Sequence, residues 1–220
     1  DRHAVIHIVP EKEGEFTRDQ IGSLGGTLTG LGLTVSTGRV VDFRARDLLR
    51  AQPGKNTVPL IYPCHFKHGY VEWPNGRTRK PNALALGPTA EELVIPQGHY
   101  VLTKRFSSKE ERRRIVAAVY DPTRVAAAQV AFENHLNYFH ERGSGLPATL
   151  AKGLAAYLNS SLVDAYFRQF SGHTQVNASD LRSLPYPTRS ALIALGRHIG
   201  SAFPSQEELD RLVDEVLFNG

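Results

Sequence analysis

Three groups of residues in this sequence have types that could do chemistry. The first is Gly22-Ser23-Leu24-Gly25-Gly26, whose backbone amides could turn toward a phosphate. It lacks the Gly-Lys-Ser/Thr ending that holds phosphate and magnesium, and it lacks a Gly-x-Gly-x-x-Gly spacing opening a helix after a strand. It reads as a β-turn or a DNA-facing loop. Cys64, His65 and His68 form the second group, but no further Cys/His pair follows at zinc spacing. Cys64 itself follows the apolar run Val58-Pro59-Leu60-Ile61-Tyr62-Pro63 and reads as a small buried hydrophobe. No Gly-x-Ser-x-Gly elbow is present for a nucleophilic serine. Asp121 and Glu133 read as unpaired carboxylates without a supporting motif. No catalytic residue and no metal ligand is assigned.

The third group is Gly172-His173-Thr174-Gln175-Val176-Asn177. Gln and Asn side chains can pair bidentately with adenine, and Thr or a backbone amide can hold a phosphate. The same residues also serve as chain-end caps, so both readings stand at this point.

These residues need elements to position them. The first hundred residues read as β-strand and loop. His3 to Val9, Val40 to Phe43, Pro59 to Tyr62, His68 to Trp73 and Tyr100 to Arg105 carry the β-branched and aromatic composition of strands. Arg114 to Tyr120 fits strand or helix, and residues 125–140 read as a helix. Leu146, Leu150, Leu154, Leu158, Leu162, Tyr166 and Phe170 recur every four residues, the stripe of one long helix ending at Ser171-Gly172. Leu184-Pro185-Tyr186-Pro187 must be extended, because residues before proline avoid the helical region. Two short helices follow, the second capped by Ser205 with Glu208 in capping-box spacing. The fold class expected is α+β, of target-recognition-domain type. A mostly β and loop region at 1–122 is followed by a helical region at 123–220 that packs on it.

Composition bounds this reading. The 220 residues are 41% hydrophobic and 22% charged, enough to form a core and too apolar for wholesale disorder. The balance of 26 Lys+Arg against 22 Asp+Glu gives a net charge of +4, which permits a nucleic-acid partner without requiring one. A single cysteine excludes an intrachain disulfide framework and favours a cytoplasmic location. No run of about 20 apolar residues offers a membrane span. The lack of any Met is read as the mark of a fragment or a processed chain.

Several stretches together resemble a known family. Leu158-Asn159-Ser160-Ser161-Leu162-Val163-Asp164, Ser171-Gly172-His173-Thr174-Gln175-Val176-Asn177, Asp180-Leu181 and Leu184-Pro185-Tyr186-Pro187 carry the most specific part. Val35 to Arg44, Val58 to Ile61, Arg79 to Asn82, Leu102 to Glu111 and Glu133 to Tyr138 add to it. They resemble the C-terminal specificity region of TaqI-like, gamma-class adenine-specific DNA methyltransferases of bacterial restriction–modification systems. A weaker resemblance is to the recognition domains of type I specificity subunits.

The family's catalytic Asn/Asp-Pro-Pro-Tyr/Phe and its Gly-rich S-adenosylmethionine motif do not occur in the sequence. The resemblance therefore implies a non-catalytic recognition domain. S-adenosylmethionine would belong to the parent enzyme, the catalytic domain would act in cis, and double-stranded DNA would be the partner. Phosphate or base contacts are expected from Arg39, Arg44, Arg46, Lys67, Arg77, Arg79, Lys80, Lys104, Arg105, Lys109, His173, Thr174, Gln175 and Asn177. The alternative is a DNA-specificity subunit or a protein-docking module of a multi-subunit restriction system, docking through the exposed side of the long helix.

Overall fold

A computed structural model of the chain describes residues 19–107, 112–170 and 174–219. The expected strand from His3 to Val9 lies outside the described residues, as do Lys109 and His173. The strands are β1 (Thr34–Thr37), β2 (Leu49–Arg50), β3 (Thr57–Ile61), β4 (Phe66–Lys67), β5 (Tyr70–Val71), β6 (Ala83–Ala85), β7 (Val94–Pro96), β8 (Tyr100–Lys104), β9 (Ala117–Tyr120), β10 (Gln129–Phe132) and β11 (Leu136–His140). The helices are α1 (Ala148–Leu158), α2 (Ser161–Phe170), α3 (Ala178–Ser183), α4 (Arg189–Arg197) and α5 (Gln206–Phe218). The architecture is α+β.

A six-stranded sheet runs in the order β1-β11-β8-β9-β5-β4, and a five-stranded sheet in the order β2-β6-β3-β10-β7. Pairing is antiparallel except at β5–β9 and β3–β10. Alternation along β8 and β9 assigns each residue to a face. Val101, Ala117 and Val119 face the helices, while Tyr100, Leu102, Ala118 and Tyr120 face a second core that also holds Ile61, Val130 and Phe132. The outer face of the second sheet is closed by Val40, Ala45, Leu60, Tyr62, Leu84 and Ala90.

Two helical expectations are corrected. Residues 125–140 are not a helix: they supply β10 and β11, one to each sheet, joined by the bend at Glu133-Asn134-His135. Their apolar residues pack on both faces, so no period of two marks the strands. The long helix expected from Leu146 to Phe170 is two helices. Asn159 caps α1, and Ser160 separates it from α2. The stripe persists across the break because both helices pack on the same core.

Within α1, Leu150, Ala151, Gly153, Leu154, Ala155, Ala156, Tyr157 and Leu158 are all buried. A helix apolar all round belongs between layers. It sits between β8 and β9 on one side and α4 on the other. α1 therefore shows little surface, while α2 keeps partly exposed residues such as Asp164 and Arg168.

Smaller differences follow from local geometry. Val40 makes one bridge, to Glu133, and the chain then turns, so Val40 to Phe43 is not a strand. The glycine-rich stretch is a packing device: Gly26 exchanges both backbone hydrogen bonds with Tyr186, at 3.1 and 2.9 Å. A Cβ on Gly26 would lie 2.3 Å from the Tyr186 carbonyl oxygen. Of Arg112-Arg113-Arg114, Arg114 is buried, with Nε donating to Ser107 Oγ at 3.2 Å, and Arg113 donates to the Asn159 carbonyl. No helix among the described residues is long and apolar enough to cross a membrane.

Candidate nucleic-acid interface

The sequence-expected cations fall into distinct settings. Arg39 and Arg44 line one recess of about 420 Å³, together with Asp47, Leu48 and Leu93. The Arg39 guanidinium donates to the carbonyls of Glu92 and Val94, at 3.1 and 3.3 Å, and so also braces the recess wall. Arg44 lies 5.3 Å from the Phe43 ring centroid, and Phe43 is an exposed large hydrophobic residue. Arg46 opens a 3₁₀ turn beside them and is exposed.

Lys80 and Lys104 line a second cavity of about 370 Å³ with Tyr62, Pro63, Cys64, Phe106, Glu133 and His135. Asp42 braces the second cavity from behind two of its lining residues. Its carboxylate accepts from the Tyr62 hydroxyl at 2.7 Å and from Lys80 Nζ at 3.0 Å. The bond to Asp42 raises the Lys80 pKa and keeps the amine cationic. Burial, then Asp42, pushes the Tyr62 phenol well above its usual range, so it remains a neutral donor.

The segment after α2 converges on this cavity by strand pairing. Gln175 bridges Phe106; Ser107 N donates to the Thr174 carbonyl at 3.1 Å, and Val176 N donates to the Arg105 carbonyl at 2.7 Å. Thr174 and Gln175 are thus brought beside Ser107 and Phe106. Asn177 is used differently, as the N-cap of α3, with its N–H bonded to Asp180 Oδ2 at 2.7 Å. Tyr186 of Leu184-Pro185-Tyr186-Pro187 is fully buried, its hydroxyl donating to the Leu181 carbonyl at 2.6 Å. These residues of the family-like stretch hold the fold.

The remaining cations also separate. Lys67 pairs with Glu72 at 2.8 Å on the surface. Arg105 is half-buried and donates to the Asn134 carbonyl at 2.7 Å, which engages a guanidinium expected to face DNA. Arg77 and Arg79 are exposed on the loop leading to Lys80. Among the described residues, Arg44, Arg46, Arg77, Arg79 and Lys104 form no ion pair.

Asn82 fixes that basic loop. Its Oδ1 accepts from Asn75 N at 2.8 Å and bonds His65 Nε2 at 3.0 Å, while its Nδ2 donates to the carbonyls of Ala51 and Asn75 at 3.0 and 3.3 Å. Because Asn82 is 1% exposed, losing it strands several buried groups. Asn82→Ala is expected to cost about 2 kcal/mol. Trypsin should then cut at Arg77 or Arg79 sooner than in the parent chain at the same temperature. Equal cutting rates would show that the loop is held by other means.

Several site residues were not expected from sequence. Tyr62, Phe106, Glu133 and His135 line the cavity, and Glu133 is paired, not isolated: it bonds His135 through both oxygens. Asp121 is paired too, with His99 at 3.3 Å and Arg124 at 3.7 Å. Cys64 is exposed, because the 3₁₀ turn Pro63–His65 lifts it off the strand. The available signals were the Glu-x-His spacing at 133–135 and an aromatic residue directly after two cations at 104–106. Among the described residues, no group of three or more His, Cys, Asp or Glu could hold a metal ion.

No family model matches the chain. It is 44% identical over 212 residues to the type II methyltransferase M.PstI of Providencia stuartii, covering 96% of this chain and 42% of that protein. It is 49% identical over 195 residues to the type II methyltransferase M.BsuBI of Bacillus subtilis, covering 88% of this chain and 39% of that protein. The chain therefore spans about two-fifths of the length of these curated relatives. Its fold is similar to part of the type IIG restriction endonuclease BpuSI, with a TM-score of 0.62 at 15% identity, covering 95% of this chain and 31% of that one. The chain is related to methyltransferases of restriction–modification.

Proposed function

We propose that this chain is the DNA-recognition region of an S-adenosylmethionine-dependent N6-adenine methyltransferase of the TaqI-like, gamma-class type. In this reading residues 1–122 and 123–220 form one composite target-recognition domain, and a catalytic domain acts in cis on double-stranded DNA. The observation that carries it is close identity to type II methyltransferases along nearly the whole chain, in a sequence without the family's Asn/Asp-Pro-Pro-Tyr/Phe.

Among the described residues none fits S-adenosylmethionine: the glycine-rich stretch is closed to such a group, because Gly26 packs against the Tyr186 backbone. Cofactor and methyl transfer are assigned to the rest of the parent enzyme. The contribution of this chain is binding and orientation. Arg44, Arg46, Arg77, Arg79 and Lys104 neutralise phosphates and set register, and a smaller set around Gln175 reads base edges. Register matters because a methyltransferase must extrude one chosen base from the stack before it can act.

Arg77 and Arg79 provide the test, because neither is committed to an internal pair, whereas Lys80→Glu would set a carboxylate against Asp42. The double variant Arg77→Glu/Arg79→Glu is expected to bind duplex DNA at least about tenfold more weakly. The slope of log affinity against log salt should shrink by about 2, one counterion released per lost phosphate contact. Fluorescence anisotropy titrations across a salt series measure both quantities. Unchanged affinity and slope would count decisively against this loop as a DNA contact.

A further inference from the structure

We propose that the cavity between Tyr62, Phe106 and His135 receives one unstacked base of the bound DNA, a reading that rests on the DNA-recognition assignment above. Concavity is the first argument. The edge of a paired base lies at the floor of a groove, where a protruding side chain can reach it and a recess cannot. A recess of about 370 Å³ is instead the size of a small-molecule pocket and takes a planar ring that has left the stack.

The walls have the chemistry for such a ring. Phe106 is 45% exposed, unusual for so large a hydrophobe, and its ring centroid lies 5.0 Å from that of His135. Bases stack on aromatic faces whatever their identity. The wall is held rigid by the strand pairing of Arg105, Phe106 and Ser107 with Thr174, Gln175 and Val176.

His135 is oriented by a residue that never meets solvent. Glu133 is 0% exposed, and its carboxylate accepts both the His135 backbone N–H, at 2.9 Å, and the His135 Nδ1–H. The ring is fixed, and Nε2 is the one ring nitrogen left to meet the edge of a base. A buried carboxylate spent entirely on aiming an imidazole into a recess makes Glu133 a positioning residue and His135 the contact. Lys104, which lines the same recess and forms no ion pair among the described residues, supplies charge for a flanking phosphate. Gln175, paired to Phe106, adds an amide that can read a base edge.

The probes are three short duplexes of one sequence: fully paired, carrying a single unpaired adenine, and carrying an abasic site at that unpaired position. The 220-residue chain is expected to bind the adenine-bulged duplex about tenfold more tightly than the abasic one, the range of a stacked base. Phe106→Ala and His135→Ala should each abolish most of that difference. Phe106 and His135 are both partly exposed, so thermal unfolding should show both variants folded. Equal affinity for the adenine and abasic bulges overturns the inference, as does a preference that survives both variants. If the paired duplex is still bound and still weakened by Arg77→Glu/Arg79→Glu, the recognition reading stands without the pocket. Failure to bind all three duplexes at low salt overturns both.

Discussion

Replacing Gly153 by alanine lowers the stability of this chain by about 3 kcal/mol, although alanine is the better helix former by about 1 kcal/mol. Gly153 lies where α1 crosses α4. A Cβ there would fall 1.8 Å from the carbonyl oxygen of Leu192 and 2.9 Å from the backbone nitrogen of Gly196. The opposing glycine is equally confined: a Cβ on Gly196 would lie 1.8 Å from the carbonyl oxygen of Thr149. The obstacles are backbone atoms of packed helices, which cannot rotate away as a side chain could. The helices must separate, and α1 is also pressed on β8 and β9, so their separation opens the core on both faces. Overpacking therefore outweighs helix propensity. A drop in Tm of roughly 6–12 °C is expected by calorimetry. Gly54→Ala is the control, since nothing lies within 4 Å of its Cβ position, and it should change little. A Gly153→Ala variant as stable as the Gly54→Ala control would mean that the crossing relaxes at no cost.

Asn159→Leu is expected to cost about 3 kcal/mol, although it exchanges one buried side chain for another of similar size. Asn159 substitutes for a strand. Its Nδ2 donates to the Ala117 carbonyl and its Oδ1 accepts from the Ala117 N–H, both at 2.9 Å. Ala117 pairs with Thr103 of β8 on one side, while β5 pairs with β9 only at Tyr70–Val119. The free edge of Ala117 is thus satisfied by a side chain from the end of α1. Leucine would leave a buried N–H and a buried C=O without partners, each worth about 1–3 kcal/mol. Urea unfolding measures the loss, and the slope with denaturant should stay constant if the native fold is kept. A loss below about 1 kcal/mol would show that water reaches the Ala117 edge. DNA affinity measured well below the transition should be unaffected, which separates this Asn from a base-reading residue.

Much of the β region was readable because its residues have few alternatives. Tyr100 to Arg105 and Pro59 to Tyr62 were expected as strands from their composition, and the strands Tyr100–Lys104 and Thr57–Ile61 lie there. The end of the chain was readable through its caps: Ser205 accepts from Glu208 N at 3.3 Å at the start of α5. Residues 125–140 were not readable, since β10 and β11 are buried on both faces and the switch between sheets occurs within three residues. Nor was the break at Asn159, because the leucine stripe continues through it and the bonds that reward the break are made to Ala117, over forty residues away in the chain.

The candidate interface divides along the same line. By itself the sequence determined that cations cluster in the loops near residues 39–46 and 77–80, and that short polar side chains follow the helix before residue 174. Formal charge and local composition are properties of a residue and its neighbours. Only the tertiary structure decided which charges remain free. It tied Lys67 to Glu72, Lys80 to Asp42 and Arg105 to the Asn134 carbonyl, while Arg77, Arg79 and Lys104 were left without ion pairs among the described residues. It alone assembled the recess, because Tyr62, Phe106, Glu133 and His135 come from the ends of different strands. A pocket is a relation between segments distant in sequence, and no local pattern of residue types encodes that relation.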